Sequence, residues 1–473
     1  MNKNSPSDIV ESLVKKAKEA QNIFEKYNQK QVDEVVTAVA WALCKPSTNE
    51  LISNLAVNST GLGDVEDKIL KNRRKTLGLL RDLKGVKTVG VINEFKEKGI
   101  IEIAKPVGIV GAITPSTNPA ATPVNNVINA LKGRNAIIVS PSPAGSKVFK
   151  QLLEFINIEL EKIKAPKNLI QTFDMPVTKD LTNELMLKVD LVIVTGSLNN
   201  VKQAAKSGTP AIGVGQGNVT VIIDETADLE DAAKKIKISK IFDNATSCSS
   251  ENSVIIIEEI YNDLIDCLKK EGATLLNNEK KKLLEKTLWI EGKLNREVIA
   301  KPAKFIADKI NLSVDSDIKI LMVEEDGVGS EHLFSGEKLS PVLTLYKAKN
   351  FDHAKEIAHK ILNYQGIGHS IGIHSKTQKR VMEIGLELPV CRVIVNQAHT
   401  FATGGSFTNG LPFSLSMGCG TWQKNSIDNN LNYKHFINTT KISTTIKGSE
   451  AELKDYFEDY CKKYSPEEVK NLE

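Results

Sequence analysis

The chain reads as an α/β protein: two Rossmann-like parallel α/β domains plus a small β arm. Three observations predict this. Apolar runs of strand length at 107–113, 136–139, 169–173 and 191–194 alternate with stretches of helical period, as a parallel sheet covered on both faces requires. A second series of such runs, near 253–257, 319–323, 342–345, 370–373 and 392–395, repeats the pattern. Between the N-terminal helices and the first series, 87–105 alternates with period two around Phe95-Lys-Glu-Lys-Gly99, as a hairpin does.

In chain order, Ile9, Leu13 and Ala17, then Val32, Val35, Val36, Val39, Ala40 and Leu43, recur at helical spacing and are expected to cover a sheet. The run 107–113 enters the loop Thr114-Pro-Ser-Thr-Asn-Pro119, after which Thr122 is placed to cap a helix with Pro123 at its first position. Ser140-Pro-Ser-Pro-Ala-Gly145 follows the next strand. Val194-Thr-Gly-Ser197 ends another, with Ser197 as a cap and free N–H groups suited to a pyrophosphate or to a simple cap. Four strand-to-loop junctions thus gather at one sheet edge, where open α/β folds bind ligands. Gly213-Val-Gly-Gln-Gly-Asn218 is not a dinucleotide fingerprint, because a strand rather than a helix follows it; it is a tight backbone pass beside a site. Leu453, Phe457, Tyr460 and Tyr464 predict a last helix docked by its aromatic side.

The expected domains are 1–88 with 106–226 for a cofactor and 227–422 for catalysis. Bridging or oligomerisation segments follow at 89–105 and 423–447, with a C-terminal helix at 448–473. A net charge of +4 over 473 residues leaves no electrostatic footprint for nucleic acid. The six cysteines lack CxxC spacing, which predicts a reducing compartment and no structural metal. With no secretory signal and no apolar run long enough to span a bilayer, a cytoplasmic protein without membrane partners is expected.

The chemistry centres on Phe242-Asp-Asn-Ala-Thr-Ser-Cys-Ser-Ser250, where Cys248 lies in a polar loop just before a strand. Hydroxyl, amide and backbone donors close by can stabilise a thiolate, which is the nucleophilic form. The plain alternative is a small residue packed in a loop.

The stretches that carry a family resemblance are Gly61-Leu-Gly-Asp-Val-Glu-Asp-Lys68, Thr114 to Pro119, Ala130-Leu-Lys-Gly-Arg-Asn135, Gly208 to Asn218, Phe242 to Glu251 and Pro341-Val. Over nearly the whole chain they resemble the aldehyde dehydrogenase superfamily and its CoA-acylating branch, which includes succinate-semialdehyde and sulfoacetaldehyde dehydrogenases. The resemblance implies an aldehyde dehydrogenase-like fold. It implies Cys248 as nucleophile and the Asn118 amide as oxyanion donor. NAD or NADP would be held by Thr114, Pro115, Ser140, Pro141, Thr195, Gly196, Ser197, Gly215 and Glu337, and coenzyme A would be the co-substrate. Hydrolytic relatives carry a general-base Glu where this chain has Gly213, so thioester exchange with CoA is expected to win over water. Ser140 and Pro143 replace the residues that commonly read the adenosine ribose, so NAD and NADP are not separated. His369, His399 and Ser406 are candidate donors for a small aldehyde with an anionic end. A homodimer or homotetramer is expected. A hydrolytic aldehyde dehydrogenase, a non-redox cysteine acyltransferase and an inactive scaffold remain as alternatives.

Overall fold

The computed structural model describes residues 5–313, 315 and 317–472. The chain separates into two compact units, Met1–Val86 with Pro106–Asn438, and Lys87–Lys105 with Thr439–Glu473.

In the larger unit the first sheet has five strands in the order Ile170–Thr172, Ala136–Pro141, Ile109–Thr114, Leu191–Val194 and Ala211–Gly213. All its pairings are parallel, and its inner strands are buried throughout, which is why they read as continuous apolar runs rather than alternating ones. Val10 and Ala17 of the helix Pro6–Phe24 join Ile109, Ile138 and Val192 in one core, so the first helix covers this sheet as expected. That helix starts at a capping box in which Ser5 and Asp8 satisfy each other's backbone N–H.

One predicted helix start is corrected. Ala121–Lys132 begins before Thr122, its N-cap position is Ala120, and Pro123 is not its first residue. The backbone carbonyl of Asn118 accepts from the Thr122 N–H, so the turn itself starts the helix. The Thr122 hydroxyl is buried with no hydrogen-bond partner among the described residues.

The second sheet has seven parallel strands in the order Ala273–Leu275, Ile320–Glu324, Val342–Ala348, Glu251–Ile257, Val219–Ile223, Ile371–His374 and Val393–Val395. Val219–Ile223 therefore belongs here, although the sequence boundary at 226 leaves it with the first domain. The change of sheet falls in the glycine-rich 213–218 segment, because Val219–Ile223 pairs on both sides with strands of the second sheet. Val221, Ile255, Leu343 and Ile371 share its core with the helices Leu229–Ile241, Tyr261–Lys270 and Phe351–Tyr364.

The smaller unit carries the hairpin arms Gly90–Phe95 and Ile100–Pro106, turning through Lys96–Lys98 to Gly99 at φ +59°, with Ile437–Ser443 as the third strand. A helix forms at Leu453–Tyr464, but its aromatic side is not docked. Phe457, Tyr460 and Tyr464 are about half or more exposed, and Cys461 is the buried residue of the helix. The Tyr460 and Tyr464 rings pack on each other instead, with centroids 5.1 Å apart. Among the described residues no helix is long and apolar enough to cross a membrane.

Candidate active site

The carboxyl ends of the first sheet open into a cavity of about 890 Å³. Thr114, Pro115 and Asn118 reach it from the end of Ile109–Thr114, and Ser140 and Pro141 from the end of Ala136–Pro141. Thr195, Gly196 and Ser197 follow Leu191–Val194, and Gly215 follows Ala211–Gly213. Cys248 and Glu337 complete the lining, so the structure gathers the thiol, the amide and all nine expected cofactor residues around one space.

The loop before Cys248 is set by backbone strain and one buried carboxylate. Asp243, Asn244 and Ala245 hold φ of +51°, +50° and +60°, a left-handed run that costs non-glycine residues energy at each step. Asp243, fully buried, offsets that cost through its carboxylate. Oδ1 accepts from the Asp64 N–H at 2.8 Å, and Oδ2 accepts from Lys68 Nζ at 3.0 Å, Thr246 Oγ1 at 2.6 Å and Lys71 Nζ. Burial would raise this carboxyl, but Lys71 and Lys68 outweigh burial and hold it below the usual carboxylate range. From the other side, Gly217 lets the backbone pass: a Cβ there would lie 2.3 Å from the Cys248 carbonyl oxygen.

Burial pushes the Cys248 thiol up to about 12, and the Glu337 carboxylate adds to the rise; Ser249, the backbone and Arg392 oppose it. The donors anticipated from sequence are present but do not outweigh desolvation, so the resting group is a thiol. Its proton must leave as the sulfur attacks.

Asn118 is held by its oxygen. Lys71 Nζ donates to Asn118 Oδ1 at 2.8 Å, while the amide Nδ2 has only a 3.5 Å contact to Thr117 Oγ1. A carboxamide gripped this way keeps its N–H groups available for an oxygen anion. Lys71 lies on the helix Val65–Leu83, as do Arg74 and Lys75, which also line the cavity. Lys75 Nζ donates to the Gly404 carbonyl at 2.6 Å, and the Arg74 guanidinium lies over the Phe401 and Phe407 rings at 5.3 and 5.6 Å. Neither has a carboxylate partner among the described residues. Burial and the charges of Lys71 and Arg74 hold Lys75 down to about 7. Sequence reasoning passed over these three cations, although their spacing of three and four residues puts them on one helix face.

Glu337 suits a ribose. Its Oε2 accepts from Gln216 Nε2 at 3.1 Å, and its Oε1 is buried without a partner. Burial raises it to about 7 against Gln216, Lys240 and Lys338. On the far side Ser197 caps Leu198–Lys206, and Gly196 at φ +151° leaves the backbone open over Pro115, as a pyrophosphate at a helix N-terminus requires. These residues fit a nicotinamide dinucleotide.

His369, His399 and Ser406 are not among the residues lining the cavity. His369 is buried with Nδ1 against Ser370 Oγ at 2.8 Å; burial, with Arg392 and His399 beside it, drives it well below the usual histidine range. His399 Nδ1 meets Thr403 Oγ1 at 2.8 Å and the Ser249 carbonyl at 3.0 Å, and burial holds it down to about 4. Ser406 bonds Thr408 and Asn409 within its own loop. Ser406 and the Nδ1 atom of each histidine hold loops, while Nε2 of both histidines is buried without a hydrogen-bond partner among the described residues; the cations of Val65–Leu83 line the cavity.

The sequence model of the Aldehyde dehydrogenase family matches residues 3–288. A sulfoacetaldehyde dehydrogenase (acylating) of Cupriavidus necator is 49% identical over 456 residues, covering 96% of this chain and 92% of its own. A succinate-semialdehyde dehydrogenase (acetylating) of Clostridium kluyveri is 40% identical over 450 residues, covering 95% and 98%. The crystal structure of an acetylating aldehyde dehydrogenase from Geobacillus thermoglucosidasius superposes with a TM-score of 0.90 at 37% identity, covering 94% of this chain and 98% of that one. The chain belongs to the aldehyde dehydrogenase family.

Proposed function

We propose that the protein catalyses the reversible NAD(P)-dependent oxidation of a small anionic aldehyde, of the sulfoacetaldehyde or succinate-semialdehyde kind, to its acyl-CoA. The observation that carries this reading is the charge of the cavity. Arg74, Lys75, Lys179 and Arg296 line it beside Lys71, which is paired with Asp243, and Glu337 is the one carboxylate among the lining residues. Cys248 attacks the carbonyl carbon as its thiol proton passes to solvent in the cavity, and the resulting oxyanion is met by Asn118 Nδ2 and the Cys248 backbone N–H. Bound NAD(P) supplies a hydride acceptor, which leaves the acyl group on Cys248 as a thioester. Coenzyme A then displaces the enzyme sulfur. Water lacks its usual activator, because no carboxylate occurs from Ala211 to Val221 and Gly213 is packed: a Cβ there would lie 2.6 Å from Val201. A positioned base is typically worth about 10²–10⁴-fold, so thiolysis is favoured. Exchange of one thioester for another is close to balanced, so the reaction also runs as acyl-CoA reduction.

The unpartnered Glu337 Oε1 favours one second reading, hydrolysis with Glu337 as base. Assays of sulfoacetaldehyde, succinate semialdehyde and propionaldehyde with and without CoA, with product identification, decide between them. Acyl-CoA and CoA-dependent NADH or NADPH support the proposal; free acid formed at the same rate without CoA contradicts it. The exposed Tyr456, Tyr460 and Tyr464 support assembly as a homodimer or homotetramer.

Arg74 and Lys75, without a carboxylate partner among the described residues, imply a charge preference. Lys75→Met is expected to lower kcat/KM about 10- to 100-fold for the anionic aldehydes and about twofold or less for propionaldehyde. The sign of the pH effect follows from Lys75. Free, it titrates near 7, and an anion beside it favours the ammonium form, so binding an anionic aldehyde takes up a proton above that pH. The ratio of kcat/KM for sulfoacetaldehyde to that for propionaldehyde is expected to fall between pH 7 and 9 in the parent protein and to stay flat in Lys75→Met. A common loss for both aldehydes would contradict this.

A further inference from the structure

We infer that Lys71 is a positioning residue for the oxyanion step: it orients and polarises the Asn118 carboxamide, and Asp243 holds it in place to do so. The inference rests on the thiohemiacetal chemistry proposed above. Three observations carry it. First, Lys71 Nζ is fully committed, with Asn118 Oδ1 at 2.8 Å, Thr246 Oγ1 at 3.2 Å and Asp243 Oδ2 as its three acceptors, which matches the three donors of an ammonium group. Second, the Asn118 oxygen is thereby occupied by a cation, so its amide nitrogen is the end left for the cavity; that nitrogen's one intramolecular contact is the 3.5 Å approach to Thr117 Oγ1. Third, the Asn118 loop is fastened by the same charge cluster, because Lys68 Nζ bonds both the Thr117 carbonyl at 3.2 Å and Asp243 Oδ2.

The consequence is electrostatic as well as geometric. A positive charge on the carbonyl end of an amide withdraws electron density and strengthens its N–H groups as donors. Such a donor is worth most when negative charge gathers on the substrate oxygen, which happens in the transition state and not in the bound aldehyde. Asp243 has a second duty, since its own left-handed backbone sets the loop that ends at Cys248. One carboxylate therefore ties the position of the nucleophile to that of the oxyanion donor.

The test is a double-mutant cycle on kcat for CoA-dependent aldehyde oxidation, with Lys71→Met, Asn118→Ala and the pair. Lys71→Met is expected to lower kcat about 10- to 100-fold with KM for the aldehyde within about threefold. In the Asn118→Ala background the same change is expected to cost less than about threefold. Alkylation of Cys248 by iodoacetamide, which forms no oxyanion, is expected to stay within about threefold of the parent in Lys71→Met. Lys71→Gln keeps a donor for Asn118 without the charge and is expected to retain part of the loss, which also serves if Lys71→Met fails to fold. Losses that multiply in the pair, or a matching fall in alkylation, would overturn the inference. Should the parent turn over without CoA, the thiolysis reading fails, but the cycle still reports on Lys71, because both routes form the same oxyanion.

Discussion

Cys248→Ala is expected to lower aldehyde oxidation by about four orders of magnitude or more while the fold and dinucleotide binding persist. Among the described lining residues Cys248 carries the one thiol: Cys419, whose sulfur also lies beneath the glycine-rich turn, is not in the cavity lining, and the Ser249 hydroxyl is turned to Met417 Sδ at 3.5 Å. Removing the sulfur leaves a small space in a loop whose shape is set by Asp243 and Gly217, so the change is local. Cys248→Ser separates nucleophilicity from shape, since the alcohol fits the same space but gives an ester rather than a thioester; it too is expected to be inactive for acyl-CoA formation. Dinucleotide binding by fluorescence, kept within about threefold in both variants, distinguishes loss of chemistry from loss of structure. Activity retained in either variant would remove Cys248 from the mechanism.

Asp243→Ala is expected to have the largest effect on stability. Lys68 and Lys71 are both buried, and the carboxylate between them is buried too. Truncating one side of such an arrangement leaves charge without a counter-ion, a change that costs about 3–5 kcal/mol. The carboxylate also supplies the acceptor for the Asp64 N–H and Thr246 Oγ1, so the left-handed run at 243–245 loses its support. Chemical denaturation is the measurement, and a midpoint unchanged from the parent would contradict the role given to this residue. The pH dependence has a defined sign. The Asp243 carboxyl is held below its ordinary value in the folded protein, so its contribution is fully present above the unfolded carboxylate range and is lost as pH falls through the depressed folded value. In Asp243→Ala that part of the acid sensitivity is expected to be absent.

What was legible in the sequence follows the range of the interactions involved. The parallel strands announce themselves because burial on both faces leaves no alternation, and the loops at their ends carry Pro, Gly and Ser that only turns and caps demand. That is why Thr114, Ser140 and Thr195 could be placed at one sheet edge, whereas the site they share with Cys248 followed from the family resemblance. Lys71, Arg74 and Lys75 could not. They reach the cavity from a helix far away in the chain, and on an amphipathic helix a cationic face reads as solvated surface. His369 and His399 lie outside the cavity lining, with their Nδ1 atoms engaged by Ser370 and Thr403, partners visible only once the loops are folded. The aromatic stripe of Leu453–Tyr464 predicts the helix correctly but not its surroundings, because periodicity reports a face and not what meets it. Val219–Ile223 was read as a strand, yet its sheet was not, since a crossing between two sheets leaves no mark on the residues that cross.

The proposed chemistry depends on a thioester on Cys248 that persists until a second thiol takes the acyl group. Intact-protein mass spectrometry after mixing the enzyme with NAD(P) and sulfoacetaldehyde or succinate semialdehyde, with CoA withheld, tests it directly. One equivalent of reduced nicotinamide per site is expected, with an acyl mass increment that maps to the peptide containing Cys248 and is discharged as acyl-CoA when CoA is added. Continuous NADH or NADPH formation without CoA, or an increment carried by another residue, would contradict it.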